Sequence, residues 1–374
     1  MTTLHTSICD LFGVRHPIVQ TGMGFVSGPR LTAATANAGG LGILASATMS
    51  YAELAAAIEE TQRLTAAPFG VNLRADSPDA SHRVELLIST HVKVASFALA
   101  PRRELIARLK DAGVVVMPSV GARRHAEKVA AWGADAVIVQ GSEGGGHTGQ
   151  VATTVLLPQV VDAVGIPVIA AGGFYDGRGL AAALAYGAAG IAMGTRFLLT
   201  SDSAVPDAIK ERYLAATVAD TVVTSALDGV PQRLLRTSFA EQLTTDGRAA
   251  RLLRSVRSAA AFRRLTDTTW RAMVREGLAM RRAHDLPLGQ VLLAANTPAL
   301  LRAAMVDGSA DFGVMATGQV AGLIEDLPSC AELIERIVAQ AEAVLAALGG
   351  RGEAGAGEVQ DDGSPAGTSE GGQP

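Results

Sequence analysis

Cysteine is nearly absent from this chain of 374 residues, which contains only Cys9 and Cys330. Two thiols cannot build the disulfide framework of a small secreted scaffold, and they suit a reducing cytoplasm. Long apolar runs are missing as well. Stretches such as Val114–Met117 have the length of a strand and fall far short of the ~20 residues that span a bilayer. The opening residues, MTTLHTSICDLFGVRHPI, lack a basic start followed by an apolar core, so no signal peptide is expected. A large excess of one charge is lacking too. The formal net charge of −4 gives no reason to expect nucleic acid or a membrane surface as the main partner. No metal site is expected, and the location expected is cytoplasmic.

What is present is a large apolar fraction. Hydrophobic residues make up 48% and charged residues 18%, enough to bury a sizeable core and to keep most of the length ordered. The length fits one large α/β barrel with an appended domain, or two ordinary domains. From Ile18 to about Phe197, short apolar runs alternate with Ala-rich helical stretches. The strand candidates are Ile18–Gln20, Leu41–Ala45, Phe69–Leu73, Val92–Ala98, Val114–Ser119, Ala136–Gln140, Val168–Ala171 and Gly190–Met193. Between them, stretches such as Arg102–Ala112 and Ala122–Trp132 carry helical periodicity. Unbroken Val/Ile/Ala runs fit parallel strands buried on both faces. Eight βα units in succession predict a (β/α)8 TIM barrel for residues 1–200; a doubly wound sheet is the rival arrangement.

Residues 201–327 are expected to form an inserted, mostly helical domain covering one end of the barrel. A Ser-x-x-Glu capping box at Ser329 and Glu332 then opens a helix running to about Leu348, the candidate closing helix of the barrel over 328–348. Residues 349–374 are rich in Gly, Ser and acidic residues without apolar periodicity, and are expected to be a disordered tail.

Glycines cluster where the strands end. Gly172-Gly173 follow the seventh candidate strand, and Gly194-Thr195 follow the eighth. In barrels these two loops commonly hold a phosphate, since glycine lets backbone N–H groups close on an anion; any tight βα turn also uses glycine. The sixth strand leads into Gln140-Gly-Ser-Glu-Gly-Gly-Gly-His-Thr-Gly149. His147, at the end of three consecutive glycines, is placed unlike a packed core histidine. An imidazole with an ordinary pKa near 6.5 exchanges protons at neutral pH. Glu143 either orients this loop or is simply solvated. Met23, between Gly22 and Gly24, could pack on a flat aromatic cofactor or belong to the core. The amides of Asn72 and Gln140 could pair with the ring atoms of a heterocycle.

The ordered set PIVQTGMG, FGVNL, IVQGSEGGGHTG, VIAAGG and AMGTRF, with Gly318-Gln319 near the end, resembles the nitronate monooxygenase (2-nitropropane dioxygenase-like) flavoprotein family, which includes flavin-dependent enoyl-acyl-carrier-protein reductases. The resemblance implies FMN held by Gly22, Met23, Gly24, Asn72, Gln140, Gly145 and Gly146. It further implies the phosphate on Gly172, Gly173, Gly194 and Thr195, and His147 as the catalytic or substrate-facing histidine. NAD(P)H is a candidate electron partner, and a homodimer a candidate assembly. Where many members carry Ala-Pro-Met, this chain has Thr21-Gly22-Met23, a departure that bears on nitronate activity more than on the flavin.

The segments VKVASFALAPRRELIARLKDAG, TSDSAVPDAIKERYL, LAANTPALLRAAMVDG and GQVAGLIEDLPSC look like an actinobacterial branch of dehydrogenases of steroid C/D-ring breakdown. Those enzymes act on a hydroxy-methyl-oxo-hydrindane carboxyl-CoA thioester. Between Arg233 and Arg282 there are twelve Arg, no Lys and four acidic residues. Arg251, Arg254 and Arg257 share a helical face that suits the phosphates of CoA or of a nicotinamide dinucleotide, or is merely solvated. The expected function is therefore an FMN-dependent dehydrogenase or reductase of a CoA thioester. Nitronate oxidation with oxygen and a non-catalytic ligand-binding barrel are the alternatives.

Overall fold

Near-continuous apolar runs make strands that are buried on both faces, and the computed structural model, which describes residues 4–98, 100–245, 288–309 and 313–355, shows how they are arranged. Eight parallel strands close into a barrel: β1 (Ile18–Gln20), β2 (Leu41–Ala45), β3 (Gly70–Leu73), β4 (Val94–Phe97), β5 (Val115–Val120), β6 (Val137–Gln140), β8 (Val168–Ala171) and β9 (Gly190–Met193). The short strand β7 (Gly146–His147) stands outside the barrel. Closure is made by β1 beside β9, with Ile18 opposite Ile191 and Gln20 opposite Met193. Each strand predicted from sequence is found, within two residues at either end. The doubly wound alternative is excluded by the β1–β9 pairing, because an open sheet leaves its edge strands unpaired.

Helices α2 (Pro29–Asn37), α3 (Tyr51–Leu64), α4 (Ala80–Ser89), α5 (Arg103–Asp111), α6 (Arg123–Ala131), α7 (Thr153–Val161) and α8 (Gly177–Ala185) alternate with the strands and coat the barrel. The short α1 (Ser7–Phe12) sends Ile8 and Phe12 into the barrel's interior cluster with Val19, Ile43, Met117 and Ile169, which plugs its N-terminal end. The mouth at the C-terminal ends of the strands is left for loops, the usual arrangement of barrel active sites.

After β9 and the single turn α9 (Thr195–Leu198), the chain leaves the barrel through α10 (Asp207–Leu214). The segment expected to be mostly helical contains a β-hairpin, β10 (Thr221–Thr224) with β11 (Gln232–Leu235), before α11 (Ser238–Thr245) and α12 (Leu288–Met305). The physical reason is a β-branched Thr-Val-Val-Thr run followed by Asp228-Gly229, a turn dipeptide that favours hairpins over helices. Leu227, Leu234, Phe239, Leu243, Leu300 and Val314 give this insert a small core of its own. The chain then returns through a 3₁₀ turn at Gln319–Leu323 to α13 (Cys330–Gly355).

Helix α13 starts on the capping box: Ser329 N–H donates to Glu332 Oε2 at 2.8 Å, and Glu332 N–H donates to Ser329 Oγ at 3.2 Å. It lies between α8, where Gly177 N–H donates to Gln340 Oε1 at 2.7 Å, and α2, where the Thr35 hydroxyl meets Cys330 Sγ at 3.7 Å. The helix runs past the expected end at Leu348 to Gly355. Once a helix is anchored by packing, each further residue adds one hydrogen bond, which offsets the glycine cost of about 1 kcal/mol per residue. The remainder of the expected tail, 356–374, lies outside the described residues. Among the described residues, no helix is long and apolar enough to cross a membrane.

Candidate active site at the barrel mouth

Loop residues from five strands converge on the open end of the barrel. After β1, the loop is tied down from below. The Gln20 amide, fully buried, donates to the Ser27 hydroxyl at 2.8 Å and to the Ile43 carbonyl at 3.2 Å, and accepts from Ile43 N–H at 3.3 Å. Ser27 Oγ in turn donates to the Thr21 carbonyl and accepts from Met23 N–H, both at 2.9 Å. The loop thus turns tightly enough to hold Phe25 at φ 62°, a strained value for an aromatic residue. Gly22 is pressed on Asn72, for a Cβ there would stand 2.5 Å from Asn72 Cβ. The half-buried Asn72 is oriented by its amide N–H, which donates to the Ser96 hydroxyl at 3.3 Å. Met23 reaches across to β9, its sulfur 3.3 Å from the point where a Cβ on Gly194 would stand. Gly24 faces Thr48.

The loop after β6 is held on three sides. Glu143 accepts from Thr153 N–H at 3.0 Å and from the Thr153 hydroxyl at 2.9 Å, so it orients the loop by capping α7. Gln140 Nε2 donates to the His147 carbonyl at 2.7 Å, which spends that amide on the loop itself. Gly145 lets the return segment come close: a Cβ there would lie 2.5 Å from the Thr317 carbonyl carbon. Two backbone donors clamp that segment in place. Gly318 N–H donates to the Thr195 hydroxyl at 2.9 Å, and Gln319 N–H donates to the Glu143 carbonyl at 3.0 Å. Gly146 continues at φ 66° into β7.

Strand β7 pairs antiparallel with β11, with His147 opposite Gln232 and Gly146 opposite Arg233. This ladder places His147 against the hairpin turn. Its Nε2 lies 2.7 Å from Asp228 Oδ2, and Gln232 Nε2 lies 2.7 Å from that same oxygen and 3.1 Å from His147 Nε2. The imidazole is 61% exposed and Asp228 only 23%. Burial raises the Asp228 pKa, but the hydrogen bond and charge of His147, with the Gln232 amide and Val230 N–H, outweigh it and hold the carboxyl below the usual range. Arg233 spends its guanidinium on the Ser142 carbonyl at 2.9 Å and the Thr221 hydroxyl at 2.8 Å. Arg74, just beyond β3, forks onto Asp76 and also feels the charge of Asp228.

Beside this loop, at the end of the neighbouring β8, Gly172 and Gly173 stand at φ 92° and 88°, backbone that side chains rarely adopt. The Thr153 hydroxyl lies 2.9 Å from the Gly172 carbonyl as well as from Glu143, so its one proton has an acceptor on each side. The structure thus brings together Gly22, Met23, Gly24, Asn72, Gln140, Gly145, Gly146, His147, Gly172, Gly173, Gly194 and Thr195 through the contacts described. Arg251, Arg254 and Arg257 lie outside the described residues. Asp228 and Gln232 were missed from sequence. Their signal was the Asp-Gly turn between two β-prone runs, but which loop the hairpin would meet is not a local property.

Three proteins show what the chain is similar to. It is 64% identical over 341 residues to the (3aS,4S,5R,7aS)-5-hydroxy-7a-methyl-1-oxo-octahydro-1H-indene-4-carboxyl-CoA dehydrogenase of Mycobacterium tuberculosis, covering 90% of this chain and 96% of that protein. It is 61% identical over 349 residues to the protein of the same name from Rhodococcus jostii, covering 93% and 99%. The structure of FabK from Thermotoga maritima superposes with a TM-score of 0.77 at 36% identity, over 93% of this chain and all of that one. The family model described as nitronate monooxygenase matches residues 5–340. The chain therefore belongs to the nitronate monooxygenase family, and it is an oxidoreductase of that flavin-dependent group.

Proposed function

We propose that the chain is an FMN-dependent dehydrogenase acting on a hydroxy-oxo-hydrindane carboxyl-CoA thioester, the substrate class in the name of its 64% and 61% identical relatives. The observation that carries the reading is an exposed histidine held by three elements above a glycine-lined barrel mouth. The residues present fit a flavin. Gly146 has open space where a Cβ would stand, Gly172 and Gly173 present bare backbone, and Asn72 offers an oriented amide. Gly22, Met23, Gly24, Asn72, Gly145 and Gly146, with the amide oxygen that Gln140 does not spend on the loop, would hold the ring system, and Gly172, Gly173, Gly194 and Thr195 its phosphate. Among the described residues this is a single phosphate-type site, which favours FMN over FAD.

Bound there, the flavin supplies a hydride acceptor. The protein's own part is acid–base and positional. His147 would take the proton that the substrate loses, while Gln140 and Glu143 hold the loop that carries it. Arg251, Arg254 and Arg257 would meet the CoA phosphates, a nicotinamide coenzyme is the proposed electron partner, and the cytoplasm the proposed location. The test is anaerobic: mixing the yellow protein with the hydroxyacyl-CoA should bleach its flavin band and form an acyl-CoA two hydrogens lighter. A band that persists with that substrate, in a protein that an alkyl nitronate does reduce, overturns the reading.

A further inference from the structure

We propose that Asp228 and Gln232, both supplied by the β10–β11 hairpin of the insert, are positioning residues that keep the proton of neutral His147 on Nε2 and leave Nδ1 as its working base. The inference rests on the acid–base reading of His147 and deepens it, naming the ring nitrogen that works and the residues that select it.

An ionised carboxylate only accepts hydrogen bonds, so the ring nitrogen 2.7 Å from Asp228 Oδ2 must carry a proton. The carboxylate is itself fixed. Oδ1 accepts from Val230 N–H at 3.1 Å within the turn, and Oδ2 accepts a second bond from the Gln232 amide at 2.7 Å. Gln232 is brought there by the ladder, directly opposite His147. Its amide nitrogen is also 3.1 Å from Nε2, but two donors cannot bond to each other, and the carboxylate is the acceptor both can use. Other charged groups nearby are engaged elsewhere: Arg74 on Asp76 beyond β3, Glu143 on Thr153 at α7, and Arg233 on Ser142 and Thr221. None of them competes for Nε2. Among the described residues, Nδ1 has no hydrogen-bond partner.

With Nε2 occupied, the base is Nδ1. Nδ1 would take the proton that the substrate loses on dehydrogenation, and a bound flavin would supply the acceptor for the hydride lost with it, so both hydrogens are accounted for. A histidine held with the proton on the other nitrogen would present N–H, a donor, where a base is needed.

The decisive variant is Asp228→Asn. The turn still needs an acceptor for Val230 N–H, so the new amide places its oxygen there and its NH2 toward His147. A donor facing Nε2 inverts the tautomer, as in the Ser-His-Asp triad when its Asp becomes Asn. Nitrogen NMR of the His147 ring, at a pH where it is neutral, should show protonated Nε2 in the wild type and protonated Nδ1 in Asp228→Asn. In the same variant kcat should fall by about 10²-fold or more with KM nearly unchanged, since the ring is present but misprotonated. Flavin content, read from absorbance, should stay at the wild-type level, and Asp228→Glu should recover part of kcat. The same tautomer in wild type and Asp228→Asn, or a kcat within twofold of wild type while His147→Ala is inactive, overturns the inference and leaves the acid–base reading intact. If His147→Ala is itself fully active, the acid–base reading fails instead; the NMR comparison still decides the tautomer claim.

Discussion

At the scale of single residues, the barrel mouth separates groups that move protons from groups that make room. His147 belongs to the first kind, exposed and tied to the fold mainly through its backbone and one ring nitrogen. Replacing its largely exposed ring with alanine removes little packing, so His147→Ala should retain flavin while turnover falls by about 10²–10⁴-fold, the usual worth of a positioned acid–base group. Stopped-flow reduction of the flavin by substrate measures this; a rate within a few-fold of wild type would make His147 a bystander. Gly22 belongs to the second kind. A Cβ there would stand 2.5 Å from Asn72 Cβ, which is not the tip of a flexible chain and cannot swing away. Gly22→Ala should therefore displace the first loop, at a cost of about 1–3 kcal/mol typical of overpacking. The variant should purify with less flavin per chain and a lower Tm, both read from one preparation.

At the scale of elements, the insert and the closing helix are each fastened to the barrel by a few polar contacts. Asp326, between the 3₁₀ turn and α13, accepts from the buried Arg196 at 3.0 Å and from Arg336 of α13 at 2.7 Å. Burial raises its pKa, but the hydrogen bonds and charges of Arg336 and Arg196 prevail and hold it below the ordinary carboxylate value. A carboxyl depressed in the folded state adds stability above its unfolded pKa of about 3.9, and that contribution disappears as pH falls through the folded value. Asp326→Asn should therefore lower Tm at pH 7, where Arg196 loses its countercharge. In thermal melts across the acid range, the difference from wild type should shrink as pH falls below about 3.9 and disappear once it has passed through the depressed folded value. A gap that stays constant with pH would assign the effect to packing instead.

At the scale of the whole molecule, one barrel presents a site and a long insert delivers side chains onto it. The hairpin reaches the mouth because β11 pairs with β7 on one side, while Tyr213, fully buried, donates its hydroxyl to the Ala316 carbonyl at 2.8 Å. The arginine-rich part of the insert contributes a proposal that rests on charge and spacing. If Arg251, Arg254 and Arg257 meet the phosphates of CoA, changing all three to Gln should raise KM for the CoA thioester and leave kcat nearly unchanged, because those phosphates are remote from the reacting carbons. The KM difference should shrink as salt rises, since screening weakens the wild-type contacts too. An unchanged KM at low salt would return these arginines to a solvated face.

The linear chain determined the barrel by itself. Eight apolar runs with helical stretches between them are local patterns, and a strand buried on both faces needs nothing but such residues to declare itself. The capping box that starts α13 is local in the same way, two residues meeting across one turn. The glycines at the strand ends and His147 were also legible, because their neighbours in sequence are their neighbours in the loop. The tertiary structure alone decided what touches them. Asn72 meets Gly22 and Thr195 meets Gly318 because barrel closure aligns loops far apart in the chain. Asp228 reaches His147 across 81 positions because a two-residue strand pairs with a hairpin, and such a short, non-local pairing leaves almost no periodic trace in either segment.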